Sequence, residues 1–233
     1  MMRGKTHGVL VCLMALAAVP AYCQRGTFGI DVGQSSDKFG ALPSVSGLVV
    51  GIEGEIAVLK PSKKDGGASI VAGGEIRLPS DTQHHAKELA IFGGPAFQYR
   101  NLTIELHAQV RKIYTPPSTV NNQVFIRDKI ELLEIPLVLR YKFGPAKRVF
   151  IEAQGAPEFT PRFRSNGSLA PLPNPHFDHG YFVRGSVGYL FGNYYAKASY
   201  ETRYFKFLAD PFNPNNLYNW RTNVISGGVG FAF

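Results

Sequence analysis

One stretch restricts the fold more than any other. Leu102, Ile104, Leu106, Ala108 and Val110 alternate with Thr103, Glu105, His107, Gln109 and Arg111. Successive side chains of a β-strand point to opposite faces, so this segment has one apolar face and one polar face. The pattern recurs in Leu133, Ile135, Leu137, Leu139 and Tyr141 against Glu134, Arg140 and Lys142. It recurs again in Tyr194, Ala196, Ala198, Tyr200 and Tyr204 against Lys197, Ser199, Glu201 and Arg203. Ten such segments run near 26–37, 46–59, 68–79, 88–99, 102–113, 129–143, 148–162, 180–191, 194–207 and 222–233. Soluble strands cluster near about 5 to 6 residues, whereas about 9 to 11 are needed to cross a bilayer. Ten long strands with one apolar face each have no soluble core large enough to take those faces.

The connections alternate in length. Short ones fall at Arg100-Asn101, Gly144 to Lys147, Gly192-Asn193 and Pro61 to Gly67. Long ones fall near 38–45, 80–87, 114–128, 163–179 and 208–221. Short turns on one side and long loops on the other are the habit of transmembrane barrels. The expected fold class is therefore all-β: a transmembrane antiparallel up-and-down β-barrel of about ten strands. Eight strands is the alternative, if the first or third pair lies outside the membrane.

Composition supports a folded, exported chain. The 233 residues are 45% hydrophobic and only 18% charged, with 17 Phe and 11 Tyr, which excludes a disordered protein. Residues 1–23 read as a secretory signal peptide. Arg3 and Lys5 form its basic start, Val9 to Ala18 its apolar run, and Ala21-Tyr22-Cys23 a small-x-small cleavage site, with cleavage after Ala21 the near alternative. Pro20, Ala21 and Tyr22 before Cys23 do not fit a lipobox. Residues 24–233 form the barrel domain. Removal of the signal leaves 23 basic against 17 acidic residues. Cleavage after Cys23 leaves no cysteine, which excludes a disulfide framework or a thiolate metal site.

The last strand carries the most specific motif. Ser226, Gly228, Phe231 and Phe233 form polar-x-Gly-x-x-hydrophobic-x-aromatic up to the final residue. This resembles the C-terminal assembly signal of Gram-negative outer-membrane proteins, which implies the barrel-assembly machinery as a partner. Phe92-Gly93-Gly94-Pro95-Ala96-Phe97-Gln98-Tyr99-Arg100, Leu133-Glu134-Ile135-Pro136-Leu137 and Gly185-Ser186-Val187-Gly188-Tyr189 are similar to segments of small outer-membrane β-barrel domain proteins of the OmpA/OmpX-like, porin-like kind. The resemblance implies localisation in the outer membrane of a Gram-negative-type bacterium, in contact with membrane lipid and lipopolysaccharide.

If the apolar face meets lipid, the other face lines the lumen. The expected lumen charge network comprises Glu53, Glu75, Arg77, Glu105, Arg111, Glu134, Arg140, Glu152, Arg184, Lys197, Glu201 and Arg203. Acids and bases nearly balance there, with Asp31, Glu55, Glu158, Lys142 and Arg162 on the same parity. About eight strands leave just enough interior for side chains, whereas 16 to 18 leave an aqueous channel. Ten lies near the filled end, and balanced charges in a narrow interior point to salt bridges that hold it shut. The alternative is a narrow passive channel for ions or small solutes.

Catalytic chemistry finds less support. Glu105 and His107 share the inner face of one strand, but no serine or cysteine nucleophile is marked out beside them. His176, Asp178 and His179 share a loop and have metal-binding donor types, and His84-His85 lies in another loop. Polar loops carry such residues commonly, so no metal and no cofactor is expected. Ten-stranded outer-membrane proteases place acidic pairs and a His–Asp pair at the outer rim; Asp178 and His179 are the nearest match, and no acidic pair faces them. A surface protease or lipid-modifying enzyme is the third reading. Tyr218 and Trp220, with Tyr141, Phe143, Tyr189, Phe191, Tyr194 and Tyr204, are expected in the aromatic girdle at the membrane interface. Basic residues do not cluster into a groove-sized patch, so no nucleic-acid partner is expected. The first reading is thus a non-enzymatic barrel, structural or loop-mediated in interaction, with the loop partner unknown.

Overall fold

Ten antiparallel strands close into a barrel in the computed structural model, which describes residues 25–40, 43–57, 66–81, 85–114, 118–120, 123–125, 129–164, 177–208 and 219–233. The strands are β1 (Arg25–Phe39), β2 (Val45–Ala57), β3 (Gly66–Pro79), β4 (Lys87–Tyr99), β5 (Leu102–Leu106 and Ala108–Tyr114) and β6 (Lys129–Glu134 and Leu137–Phe143). They continue with β7 (Val149–Arg164), β8 (Phe177–Phe191), β9 (Tyr194–Phe207) and β10 (Trp220–Ala232). Each pairs with its sequence neighbours, and β1 pairs with β10 from Thr27 opposite Ala232 to Phe39 opposite Trp220. Closure leaves no unpaired edge, as a structure in hydrocarbon requires. All ten strands belong to the one barrel, so the eight-strand alternative is set aside. A small separate hairpin, Ser118–Val120 with Gln123–Phe125, sits between β5 and β6. The signal segment lies outside the described residues.

The two interruptions have a chemical cause. Pro136 interrupts β6 and Pro95 lies in β4, and a proline has no N–H for the ladder. Between them, His107 falls outside the regular strand and donates its backbone N–H to the Pro136 carbonyl at 3.0 Å. The register is the same on both sides: Leu137 opposes Leu106, and Gln109 opposes Glu134. Alternation also survives. Leu132, Glu134, Pro136 and Val138 are buried, while Leu133, Ile135, Leu137 and Leu139 are exposed.

The exterior is apolar over most of its circumference. Ile30, Val32, Leu48, Val50, Leu78, Ile91, Leu106, Val110, Leu133, Val183, Val187, Ile225 and Val229 all stand exposed on it. Soluble monomers seldom expose a contiguous apolar patch beyond a few hundred Å². Here the patch is a belt, and lipid is the solvent that fits it. Near the short turns the belt ends in exposed aromatics: Tyr99, Tyr141, Phe143, Tyr189, Phe191, Tyr194, Phe231 and Phe233. Gly192 turns β8 into β9 at φ 70°, a conformation that glycine reaches without strain. The start of β1 and the end of β10 lie together on this short-turn side. The chain is a transmembrane β-barrel of the outer membrane.

Trp220 does not join the girdle. It is buried at the loop end, stacked on Phe205 with centroids 5.5 Å apart. With Ala86, Ile113, Leu132 and Phe205 it forms a small apolar core inside the barrel mouth, against which Phe177 packs. Its parity on β10 points inward, and its indole N–H finds Asp37 there. Tyr218 lies outside the described residues.

Candidate functional site: the charged lumen

The polar faces of the strands meet across the lumen. Arg77 of β3 reaches Glu201 of β9 with both terminal nitrogens, at 2.7 and 2.8 Å. Arg77 also bonds Glu75 at 2.7 Å, and Arg184 of β8 bonds the same Glu75 at 2.7 Å and Glu201 at 2.8 Å. Two carboxylates and two guanidiniums thus form a closed ring. The second half lies beside it. Arg203 of β9 donates to Glu158 at 3.0 Å, Glu88 at 2.8 Å and Glu134 at 3.2 Å. Arg111 of β5 shares Glu88 and Glu134, at 2.7 and 3.1 Å, and lies 3.6 Å from Glu75, which joins the halves. Gln109 donates its amide to Glu134. The guanidiniums of Arg203, Arg184 and Arg111 lie 4.8, 5.5 and 5.6 Å from the centre of the fully buried Phe182 ring. A cation over an aromatic face gains from the ring quadrupole, most when desolvated.

Such burial has a strict condition. An ionised group taken from water costs several kcal/mol unless it is paired and hydrogen-bonded. Glu134 and Arg203 are both 0% exposed, and each has partners of opposite charge on more than one strand. The guanidinium fork suits this, because it offers several donors in a fixed plane.

A second cluster lies toward the short turns. Arg140 of β6 donates to Glu152 of β7 at 2.7 Å and sits 3.6 Å from Glu55 of β2 and Glu105 of β5. His107 Nε2 is 3.0 Å from Glu105 Oε2, and Phe92 stacks on the His107 ring at 4.6 Å. Lys197 of β9 pairs with Glu53 of β2, which also accepts from Tyr195 at 3.3 Å. Tyr195 fits because Gly29 and Gly230 carry no Cβ, which would lie within 2.6 Å of its hydroxyl. Between these groups is a cavity of about 130 Å³ lined by Glu55, His107, Arg140, Lys142, Glu152 and Lys197, among others.

All twelve residues assigned to the lumen network face the interior, but they do not form one network. Glu75, Arg77, Arg111, Glu134, Arg184, Glu201 and Arg203 meet in the central layer. Glu105, Arg140 and Glu152 belong to the lower cluster, and Glu53 with Lys197 forms a separate pair. Sequence reading omits Glu88, which joins Arg111 and Arg203. Its parity with Ala90 and Phe92 marks it as inward, but it stands at the first residues of β4, where a strand boundary is hardest to place.

A third group at the barrel mouth is also missed. His85 turns inward from the Ser80–Ala86 connection and its Nδ1 lies 2.7 Å from Asp37 Oδ2 and 3.2 Å from Ser35 Oγ. The Trp220 indole N–H donates to the other Asp37 oxygen at 3.2 Å. The hydrogen bond to Asp37 raises the His85 pKa above 6.5, against the opposing effect of burial. Serine, histidine and aspartate are together, but both oxygens address the same ring nitrogen. A hydrolytic relay needs the base to face serine with one nitrogen and aspartate with the other. Nε2 instead packs over Gly47, where a Cβ would lie 2.4 Å away.

The remaining candidates are apart. Asp178 lies 3.2 Å from His179 and 3.2 Å from Lys206, all on the exposed end of β8 and β9. His84 and His176 lie outside the described residues. In β10, Ser226 opposes Gly33 and Ser199, and Gly228 opposes Asp31 and Lys197. Phe231 packs on Tyr194 at 4.6 Å, and Phe233 exchanges two backbone hydrogen bonds with Gly26.

No protein-family model matches the sequence, and no curated protein matches it. Solved structures with a similar fold include Neisserial surface protein A, 14% identical, with 89% of this chain covered, 97% of that chain and a TM-score of 0.42. The outer-membrane protease OmpT from Escherichia coli is 8% identical, with 90% and 97% covered and a TM-score of 0.48. The attachment invasion locus protein Ail of Yersinia pestis is 12% identical, with 90% and 98% covered and a TM-score of 0.31.

Proposed function

We propose that this protein is a non-enzymatic outer-membrane barrel whose lumen is closed by its own side chains and whose contacts with the outside are made by its long loops. One observation carries this reading: the Arg77–Glu201 and Arg203–Glu88 pairs join opposite walls, and the ring around Phe182 occupies the space between them. A solute crossing this layer would have to separate several buried ion pairs at once, and each uncompensated charge is costly. Near-neutral balance also argues against ion selectivity, which needs an excess of one sign.

Among the described residues, the Ser35 and Asp37 oxygens both address His85 Nδ1, an arrangement that does not make a hydrolytic relay. With a closed lumen, contact with the surroundings falls to the lipid belt and the loop end. The basic excess outside the lumen suits lipopolysaccharide phosphates, and the exposed Phe231 and Phe233 at the end of β10 suit a signal read by the barrel-assembly machinery. A narrow channel is the second reading, favoured by the cavity on the short-turn side of the charged layer.

Single-channel recording of the refolded mature barrel in a planar bilayer tests the first reading. Silence from an inserted, folded barrel is the expected result. Discrete conductance steps that change with Arg140→Gln or Glu134→Gln would overturn it in favour of the channel.

A further inference from the structure

The lower cluster gathers carboxylates and an imidazole beside a cavity. Glu55, Glu105 and Glu152 surround one guanidinium, Arg140, and Lys142, Arg184 and Lys197 are further bases lining the cavity beside them. Arg140 is committed to Glu152 at 2.7 Å; its Nη1 stands 3.6 Å from Glu55 and Glu105, outside hydrogen-bond reach.

The donor geometry indicates a ligand for this corner of the lumen. Glu55, Glu105 and His107 each offer one ligand atom within 4.8 Å of the other two. They come from β2 and β5, on either side of two intervening strands, so the site exists only in the closed barrel. His107 is 3% exposed, and its Nδ1 is buried with no hydrogen-bond partner, although such groups are nearly always satisfied. Its ring is held flat against Phe92, and its backbone is fixed by the bond to Pro136. The adjoining cavity of about 130 Å³ has room for a few waters, each taking about 30 Å³ of liquid volume.

We propose that Glu55, Glu105 and His107 bind one divalent transition-metal ion of the zinc class, with cavity water completing its shell. One imidazole and two carboxylates suit a borderline ion better than calcium, which takes six to eight oxygens. A bound ion ties β2 to β5 across the lumen. The expectation of no metal, drawn from the sequence, rested on loop histidines; this site lies elsewhere, on the strand pair that the alternation places inward.

The test uses the full mature barrel, refolded without an affinity tag and checked by its heat-dependent mobility on gels. Zinc is titrated by equilibrium dialysis, with magnesium as control, and cobalt absorption reports the donor set. The expected result is one zinc per barrel, no comparable magnesium binding, a cobalt spectrum of low coordination number, and a higher unfolding temperature with zinc. His107→Gln and Glu55→Gln, tested separately, are expected to weaken binding at least about tenfold, whereas His85→Gln and His179→Gln leave it unchanged. If Glu55→Gln fails to fold, His107→Gln and the wild-type cobalt spectrum still decide. Absence of stoichiometric zinc binding, or binding that survives His107→Gln and is lost with His179→Gln, would overturn the site.

Discussion

At the scale of single residues, the lumen is governed by the cost of leaving a charge alone. Arg203 serves three carboxylates and lies over Phe182, so no neighbour can replace it. Arg203→Ala is expected to destabilise the barrel by about 3 to 5 kcal/mol, the usual effect of breaking a buried pair from one side. Urea unfolding in detergent micelles measures it, and a change within experimental scatter would contradict the pairing. His85 gives a pH-dependent counterpart. Its pKa is raised in the folded state by Asp37, so its stabilisation is complete below the ordinary histidine value and is lost as pH rises through the higher folded value. Trp220, the sole tryptophan, shares Asp37 with His85 and reports the event. Its fluorescence is expected to titrate with a midpoint above 6.5, and His85→Gln is expected to abolish that step.

At the scale of elements, glycine and proline decide where the interior can hold large groups. Gly47 on β2 gives His85 its place, because a Cβ there would press on the ring at 2.4 Å. Gly47→Ala is therefore expected to expel His85 from Asp37 and to abolish the same fluorescence step while the barrel still folds. The interruption of β5 and β6 follows from Pro95 and Pro136, and register continues through it, so two strands that break in hydrogen bonding remain one in alternation. For this reason the segments 102–113 and 129–143 are legible as single strands. The end of β10 is held by β1 through the paired Gly26 and Phe233 backbones. Phe233→Ala leaves those bonds in place and removes only the exposed ring, so it is expected to slow assembly in cells by several-fold with little loss of stability once folded. Pulse-chase monitoring of folded and unfolded gel bands, set against urea midpoints, separates the two effects.

At the scale of the whole molecule, two solvents shape one wall. Lipid takes the outer face and the ion-pair layer takes the middle of the inner face, with a small apolar cluster around Trp220 at the loop end. Carbonate washing is expected to leave the protein in the membrane pellet, with release only by detergent. Release without detergent would contradict the exposed apolar belt.

Period-two alternation is local, because each side chain is directed by its own backbone. That is why strand number and the inward and outward faces are readable from the chain alone. It also explains which details were lost. Glu88 falls at a strand start, where alternation has too few residues to register. Trp220 looks like an interface aromatic by type, and only its position opposite Phe39 and beside Asp37 places it inside. The partners of the lumen charges were beyond reach for a deeper reason. Arg77 and Glu201 stand 124 positions apart and meet because closure, tilt and register bring β3 and β9 face to face. A sequence states which residues enter the lumen; the closed sheet alone fixes their heights and neighbours, and so decides that nine charged residues meet in one layer while Glu55, Glu105 and His107 converge beneath it.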